Sequence, residues 1–271
     1  MRPRRGRLFA WARANLAAGL GLALLGLVTG LALAGPMLHR VDPWERRGLR
    51  FEAPGGRFVL GTDHQGRDVL AGLAVGARTS LLVGVASAAV ILVIGVTVGT
   101  TAGYHGGLLD EALMRVTEFF QILPAFLFAM VLVAIFSPTI WTIVIAIGVS
   151  NWAGTARLVR AEFLTLRERD FVTAARALGV PDRRIMAREI LPNALAPVVV
   201  NASLTVGVAI LFEAGLSFLG LADPNVMSWG YMIGSSRIYL RDAWWTVTFP
   251  GLAIVASVLG LSLVGDWLND V

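Results

Sequence analysis

The side chains that most often carry out covalent chemistry are scarce in this sequence of 271 residues. All 23 basic residues are arginine and cysteine is absent, which excludes a P-loop lysine, a Schiff-base lysine, a thiolate nucleophile and cysteine-ligated metals. The three histidines, at 39, 64 and 105, form no paired metal-ligand spacing. Asp63 and Asp68 could act as paired carboxylates, but the sequence indicates no cleft between them. We therefore expect no catalytic residue, cofactor site or metal site in this chain.

A few polar side chains lie in otherwise apolar segments and could serve transport. Glu213 is the one acid near membrane depth, where a charge is costly and often functional. Its place near the end of a span favours a structural role at the interface over gating or an ion pair. Gln121, Asn151 and Asn201 could line a polar path or gate with Glu213, or could form hydrogen bonds between helices.

The composition indicates that most of the chain lies in lipid. Hydrophobic residues make up 56% of the sequence and charged residues 15%, and the mean hydropathy is +0.71, whereas soluble domains carry roughly 25% charged residues. The net charge of +5 would suggest a nucleic-acid partner in a soluble protein. In a membrane protein the positive-inside rule explains it, so no nucleic-acid partner is expected.

Six segments are long and apolar enough to cross the bilayer, which takes about 20 residues in a helix. Ser137, Pro138 and Thr139 divide the longest one with a turn signature. The N-terminal 34 residues also resemble a signal peptide, but their apolar stretch is too long for one. The six predicted spans are 14–38, 79–104, 117–136, 139–156, 190–212 and 243–265.

The distribution of arginine predicts the orientation. With the N-terminus inside, fourteen of the 23 arginines fall in cytoplasmic segments, and the first span has a strongly basic N-terminal flank. Both termini are therefore expected in the cytoplasm.

Glycine spacing predicts close helix packing. Gly95, Gly99 and Gly103 form a GxxxGxxxG pattern in the second span, and Gly26 and Gly30 repeat it in the first. Such spacing leaves a smooth face that lets another helix approach.

The segment between the fourth and fifth spans is charged but patterned, and it predicts helix, tight turn, helix. Asp170 can cap the first helix, and Gly179 suits a left-handed residue just past its end. Pro181 and Asp182 suit the first turn of the second helix, and Pro192 marks entry to the fifth span. Small and apolar residues recur on one face of the first helix, namely Phe171, Ala174, Ala175 and Leu178. This face is shaped to dock on a partner.

The run from Thr173 to Asn193 resembles the EAA loop of ABC importer permeases. Ala174, Ala175, Gly179 and Leu191-Pro192 fall on that pattern, while Thr173 replaces the usual glutamate. Seven further segments, in the right order, resemble the dipeptide and oligopeptide permease family, and most of all its C-type subunit. They are 61–70 (GTDHQGRDVL), 76–84 (GARTSLLVG), 102–107 (AGYHGG), 113–115 (LMR), 213–221 (EAGLSFLGL), 228–230 (SWG) and 265–270 (GDWLND).

The resemblance implies an all-α polytopic fold with six transmembrane helices and a cytoplasmic helix-turn-helix coupling loop, that of a type I ABC importer permease. Residues 1–75 would hold the N-terminus, first span and an extracytoplasmic segment, and 76–266 the permease domain, with the EAA-like loop at 170–192. That loop would couple to an ATPase through Asp170, Phe171, Thr173, Ala174, Ala175, Leu178, Gly179, Arg183, Arg184 and Pro192.

The same resemblance implies the partners and the location. They are a second homologous permease, two ATPase subunits that bind ATP and Mg, and an extracytoplasmic substrate-binding protein, in the inner membrane of a prokaryote. Di- or oligopeptides would be the cargo. The alternatives are a permease for nickel or another metal chelate, a secondary carrier and an intramembrane hydrolase. Residues 39–78 would be a gate or a seat for the binding protein, or only a folded connector.

Overall fold

A computed structural model describes the backbone of residues 4–270 and the side chains of 16–268 except residue 196. Within that part of the chain there are helices and isolated β-bridges but no β-strand. The α-helices are α1 (Arg4–Leu38), α2 (Val69–His105), α3 (Gly107–Ile122), α4 (Ala125–Phe136), α5 (Ile140–Leu166), α6 (Asp170–Ala177), α7 (Asp182–Arg184), α8 (Leu191–Phe218), α9 (Trp229–Ser236) and α10 (Trp245–Asp270).

Five helices are long and apolar enough to cross a membrane unbroken, namely α1, α2, α5, α8 and α10. The all-α prediction is confirmed, but the continuous third span expected at 117–136 is wrong. That region is divided between α3 and α4, whose axes differ by 86°, so the sixth span exists only as a bent pair.

Proline explains the bend. Pro124 begins α4 as its N-cap, and Leu123 before it is extended (φ −69°, ψ 131°), as the residue before a proline prefers. The 12 residues of α4 extend only about 18 Å at about 1.5 Å per residue. Because the hydrocarbon core is about 30 Å thick, α4 needs α3 to complete a crossing.

Helix α2 is central and packs most closely against α5. A Cβ atom added at Gly95 would lie 2.7 Å from Thr155 Cβ, one at Gly99 would lie 2.5 Å from the Ala156 carbonyl oxygen, and one at Gly103 would lie 2.6 Å from Phe163 Cβ. The packing predicted for these glycines is confirmed. Gly26 and Gly30 have no such neighbour, since no described atom lies within 4 Å of their Cβ positions.

The bundle has two ends that differ in structure. We call the end that carries residues 167–192 the loop end, and the end that carries residues 39–68 and 219–244 the distal end. At the distal end, the chain from 39 to 68 folds into turns with isolated bridges, among them Thr62 with Asp68. The Trp245 indole N–H donates to the Thr62 carbonyl at 3.0 Å, which fastens these turns to the start of α10.

Candidate functional site

The EAA-like loop folds as the predicted helix-turn-helix at the loop end. Helix α6 is followed by a turn in which Gly179 has φ +74° and its N–H donates to the Arg176 carbonyl at 2.9 Å. The left-handed glycine is therefore confirmed. No described atom lies within 4 Å of its Cβ position, so the backbone conformation alone demands glycine here. Helix α7 then continues through a π-helical turn, Ile185–Ile190, directly into α8.

The predicted cap of α6 is wrong. Arg169 occupies the N-cap position and no side chain caps the helix, while Asp170 is its first residue. A carboxylate in the first turn still interacts favourably with the helix dipole. Asp170 can contribute there without the capping hydrogen bond.

The loop shows one face to the bundle and the other to solvent. Val172 is fully buried among Phe163, Ile185 and Ile190. This anchor was not predicted from the sequence, because Val172 lies outside the apolar face formed by positions 171, 174, 175 and 178. On the outer face Leu178 is 83% exposed. Among the other predicted coupling residues, Ala175 is half-buried. The exposed ones include Phe171, Thr173, Ala174, Arg183, Arg184 and Pro192.

Polar contacts join the helices that meet at the loop end of the bundle. The Tyr104 hydroxyl donates to the Asp182 carboxylate, and the Arg176 guanidinium lies 5.4 Å from the centre of the Tyr104 ring. Arg160 forms a bidentate ion pair with Asp110, in which its Nε and Nη2 donate to the two carboxylate oxygens at 2.5 and 2.6 Å. The sequence could not reveal these pairs because their members lie on different elements.

The distal end contains a buried carboxylate. Glu213 is only 3% exposed, although it lies near the distal end of α8. Its Oε1 accepts hydrogen bonds from Ser217 at 2.8 Å and Ser228 at 2.7 Å. Its Oε2 has no partner among the described residues. The burial arises because α9 and the chain before it cover this part of α8.

Three of the quoted motifs meet around Glu213, from the ends of α2, α8 and α9. The N–H of Trp229 donates to the Ser80 hydroxyl at 3.1 Å, and its indole N–H donates to the Leu73 carbonyl at 3.0 Å. A Cβ atom at Gly230 would lie 2.8 Å from Glu213 Oε1. We call Ser80, Glu213, Ser217, Ser228 and Trp229 the distal joint.

The other candidate path residues are not gathered around Glu213. Gln121 accepts a hydrogen bond from Arg157 at 2.8 Å on the loop side. Asn151 donates to the Ile147 carbonyl of its own helix at 2.9 Å, while Asn201 donates to the Thr155 hydroxyl across two helices at 3.1 Å. Asn201 thus matches the interhelical alternative, and the four residues form no single cluster.

The carboxylates of the 39–68 segment organise the backbone. Asp63 Oδ1 accepts from the N–H groups of Gln65 and Arg67 at 2.7 and 2.9 Å. Asp68 caps α2 through Leu70 and lies 2.8 Å from the imidazole of His39. Apart from the contact with His39, these are turn and cap bonds, which argue against paired catalytic carboxylates.

The imidazole of His64 stacks on Tyr239 with ring centres 5.3 Å apart. Burial lowers the pKa of His64 below its ordinary value, and Arg67 and Arg50 act in the same direction against the opposing effect of Asp63. No group of three or more metal-ligating side chains occurs among the residues whose placement is described.

Known proteins resemble this chain over most of its length. It is 41% identical over 258 residues to the "Di/tripeptide transport system permease protein DppC" of Pseudomonas aeruginosa, covering 92% of this chain and 85% of that protein. It is 38% identical to the "Dipeptide transport system permease protein DppC" of Alkalihalophilus pseudofirmus (97% and 87% covered). It is 35% identical to the "Oligopeptide transport system permease protein OppC" of Bacillus subtilis (95% and 85% covered).

The fold also has a solved counterpart. A chain of the inward-facing MetNI methionine ABC transporter superposes with a TM-score of 0.56 at 19% identity, covering 73% of this chain and 95% of that one. The family described as "Binding-protein-dependent transport system inner membrane component" matches residues 95–271. The chain is therefore a multi-pass membrane protein that belongs to the family of binding-protein-dependent transport system inner membrane components.

Proposed function

We propose that this chain is the permease subunit of an ATP-driven importer for di- or oligopeptides. Relatives whose printed names specify dipeptide, di/tripeptide or oligopeptide transport align with 92–97% of the chain. Those names support peptide cargo over a nickel or metal-chelate cargo. Membership of a binding-protein-dependent permease family likewise supports a transport subunit over a secondary carrier or an intramembrane hydrolase.

One observation carries the coupling part of this proposal, namely the ordered helix-turn-helix that exposes its apolar residues. Leu178 is 83% and Phe171 40% exposed, while Val172 on the other face is buried. Water-exposed apolar side chains on a rigid element are typical of a docking surface. The partner would be an ATPase subunit, as the resemblance to ABC importer permeases implies, and the loop would be seated on it.

The same loop is joined without interruption to a membrane span. Because α7, the π-helical turn and α8 follow one another directly, displacement of the loop would tilt α8. Closure of two ATPase subunits on ATP and Mg would supply the displacement. The chain itself would bind neither.

The remaining parts of the proposal concern the assembly. A second homologous permease would complete the translocation path, and an extracytoplasmic binding protein would deliver the peptide at the distal end. Gln121, Asn151, Asn201 and Glu213 remain candidates for the path or gate. Both termini would be cytoplasmic, and the division at residue 75 between the N-terminal part and the permease domain remains a proposal.

Gly179→Val tests the coupling role. A β-branched residue in the left-handed conformation costs about 1–2 kcal/mol, and the cost falls on the docking loop because the Cβ would meet open space. We expect peptide uptake and peptide-stimulated ATP hydrolysis by the whole transporter to fall together by about tenfold. Membrane abundance and association with the second permease should stay unchanged.

Gly220→Val is the matched control. Gly220 follows the end of α8 with φ +90° and no described atom within 4 Å of its Cβ position, so it imposes the same backbone strain at the other end of the bundle. We expect it to preserve uptake. If Gly179→Val instead retained normal uptake and normal ATPase association, the coupling role of the loop would be wrong.

A further inference from the structure

The corner between α2 and α3 lies against both helices of the coupling loop. Tyr104, in the last turn of α2, donates its hydroxyl hydrogen to Asp182 at the start of α7. The ring of the same residue lies under Arg176 of α6 at 5.4 Å. Tyr104 therefore touches the loop on each side of its tight turn.

The position of Tyr104 makes it a firm point of attachment. It is 7% exposed and belongs to the same apolar cluster as Val172, Phe163 and Ile185. Asp182 is exposed on its own loop. A hydrogen bond between a buried hydroxyl and a carboxylate is stronger than one between neutral groups, so the pair can transmit a displacement of the loop to α2.

The corner leads into the bent pair. Gly106 and Gly107 turn the chain with φ +67° and +57°, and α3 then runs to the bend at Pro124. Asp110 in the first turn of α3 is held to α5 by its ion pair with Arg160. The carbonyl of Gly103 accepts a hydrogen bond from Arg167 at 3.0 Å. The corner is thus a fixed joint of α2, α3 and α5.

We infer that Tyr104 is a positioning residue that transmits movement of the coupling loop to α2 and α3, in parallel with the direct connection of the loop to α8. This inference rests on the proposed coupling function. The bent pair and α8 would then move together when the ATPase subunits close. Without the Tyr104 contact, movement of the loop would reach α2 and α3 less directly, while its connection to α8 would be unchanged.

The test uses the complete transporter in proteoliposomes and measures peptide uptake per ATP hydrolysed. Tyr104→Phe removes only the hydroxyl and keeps the ring under Arg176. We expect the ratio to fall by about threefold to tenfold, the range that a single hydrogen bond provides. ATPase association and abundance should stay normal, because the loop keeps its shape and its exposed face.

Two Asp182 variants sharpen the test. Asp182→Asn retains an oxygen acceptor and should keep a nearly normal ratio, whereas Asp182→Ala should lower it as Tyr104→Phe does. The double variant Tyr104→Phe with Asp182→Ala should be no worse than either single change, because both remove the same contact. Thr101→Val is the matched control, since the Thr101 hydroxyl bonds only to the Thr97 carbonyl of its own helix.

The outcomes separate this inference from the proposed function. If Gly179→Val lowers uptake as expected while Tyr104→Phe leaves the ratio normal, the loop couples without the Tyr104 hydroxyl and the inference is wrong. Loss of ATPase association in Tyr104→Phe would also overturn it, because the hydroxyl would then only hold the loop in shape. Strictly additive losses in the double variant would show that the two groups do not act through one contact.

Discussion

The distal joint and the loop-end contacts of Tyr104 are both polar, but they differ in their access to water. In the distal joint Glu213, Ser217 and Ser228 are all buried, so a polar group that loses its hydrogen bond there is poorly solvated. At the loop end Tyr104 is buried but its partner Asp182 is exposed. Water can solvate that carboxylate when the pair separates.

This difference indicates different mechanical roles. Breaking a bond in the distal joint would leave a buried polar group without a partner, at a cost of about 1–3 kcal/mol. Separating the loop-end pair leaves only the Tyr104 hydroxyl buried without a partner, because water can solvate the exposed Asp182 carboxylate. The distal joint is suited to holding α2, α8 and α9 in a fixed arrangement, while the Tyr104–Asp182 pair joins a movable loop to α2 through a contact that re-forms readily if it separates.

The largest effect is expected from a steric change in the distal joint. In Gly230→Val the new Cβ would lie 2.9 Å from the Ala214 Cα atom as well as 2.8 Å from Glu213 Oε1. Because backbone cannot move aside, α8 and α9 must separate, at about 1–3 kcal/mol or more. We expect strongly reduced abundance of folded protein in the membrane, measured by detergent extraction and size-exclusion chromatography.

Gly19→Val is the control for that change, since no described atom lies within 4 Å of the Gly19 Cβ position. It should be as abundant as the unaltered chain. Gly179→Val should match it in abundance while losing uptake. Equal abundance of Gly230→Val would show that the distal joint is not a fixed part of the fold.

A smaller effect is expected when the distal joint loses its hydrogen-bond acceptor. Glu213→Ala removes the acceptor of both Ser217 and Ser228 and should cost about 1–3 kcal/mol. That corresponds to a thermal midpoint lower by about 2–4 °C for each kcal/mol in a chain of this size. Glu213→Gln retains an oxygen at the same place and should unfold close to the unaltered chain. If Glu213→Ala and Glu213→Gln had the same thermal midpoint, the hydrogen bonds that the residue 213 side chain accepts would not stabilise the distal joint.

The features that the sequence predicted well depend on neighbouring residues. The left-handed conformation of Gly179 follows from a helical pattern that stops one residue earlier, and the close packing of Gly95, Gly99 and Gly103 follows from their spacing on one face. The apolar spans follow from composition over about 20 residues. Each of these signals lies within a single element.

The features that the sequence did not predict depend on contacts between distant elements. Glu213 is buried because Ser228 and the start of α9 cover it, and Tyr104 meets Asp182 across 78 residues. Spacing within one helix contains no information about either contact. The bend before α4 had a local signal in Pro124, but an apolar run that continues through a proline can form a kinked helix as well as a broken one.

The smallest effect is expected in the 39–68 segment of the distal end, where the half-buried His64 stacks on Tyr239. Its pKa is lowered by burial, so the folded segment resists a proton that the unfolded chain accepts below about pH 6.5. Stability should therefore be complete above that pH and decline as the pH falls from there through the lowered pKa of the folded state. Between pH 7.5 and pH 5.5 the thermal midpoint should fall less in His64→Gln than in the unaltered chain. The difference between the two falls should be smaller than the roughly 2–4 °C that 1 kcal/mol produces.

His105→Gln removes an exposed imidazole at the loop end and provides the matched control. An unchanged slope in His64→Gln would show that acid acts on this protein elsewhere, and that the 39–68 segment is held by its turn and cap bonds alone.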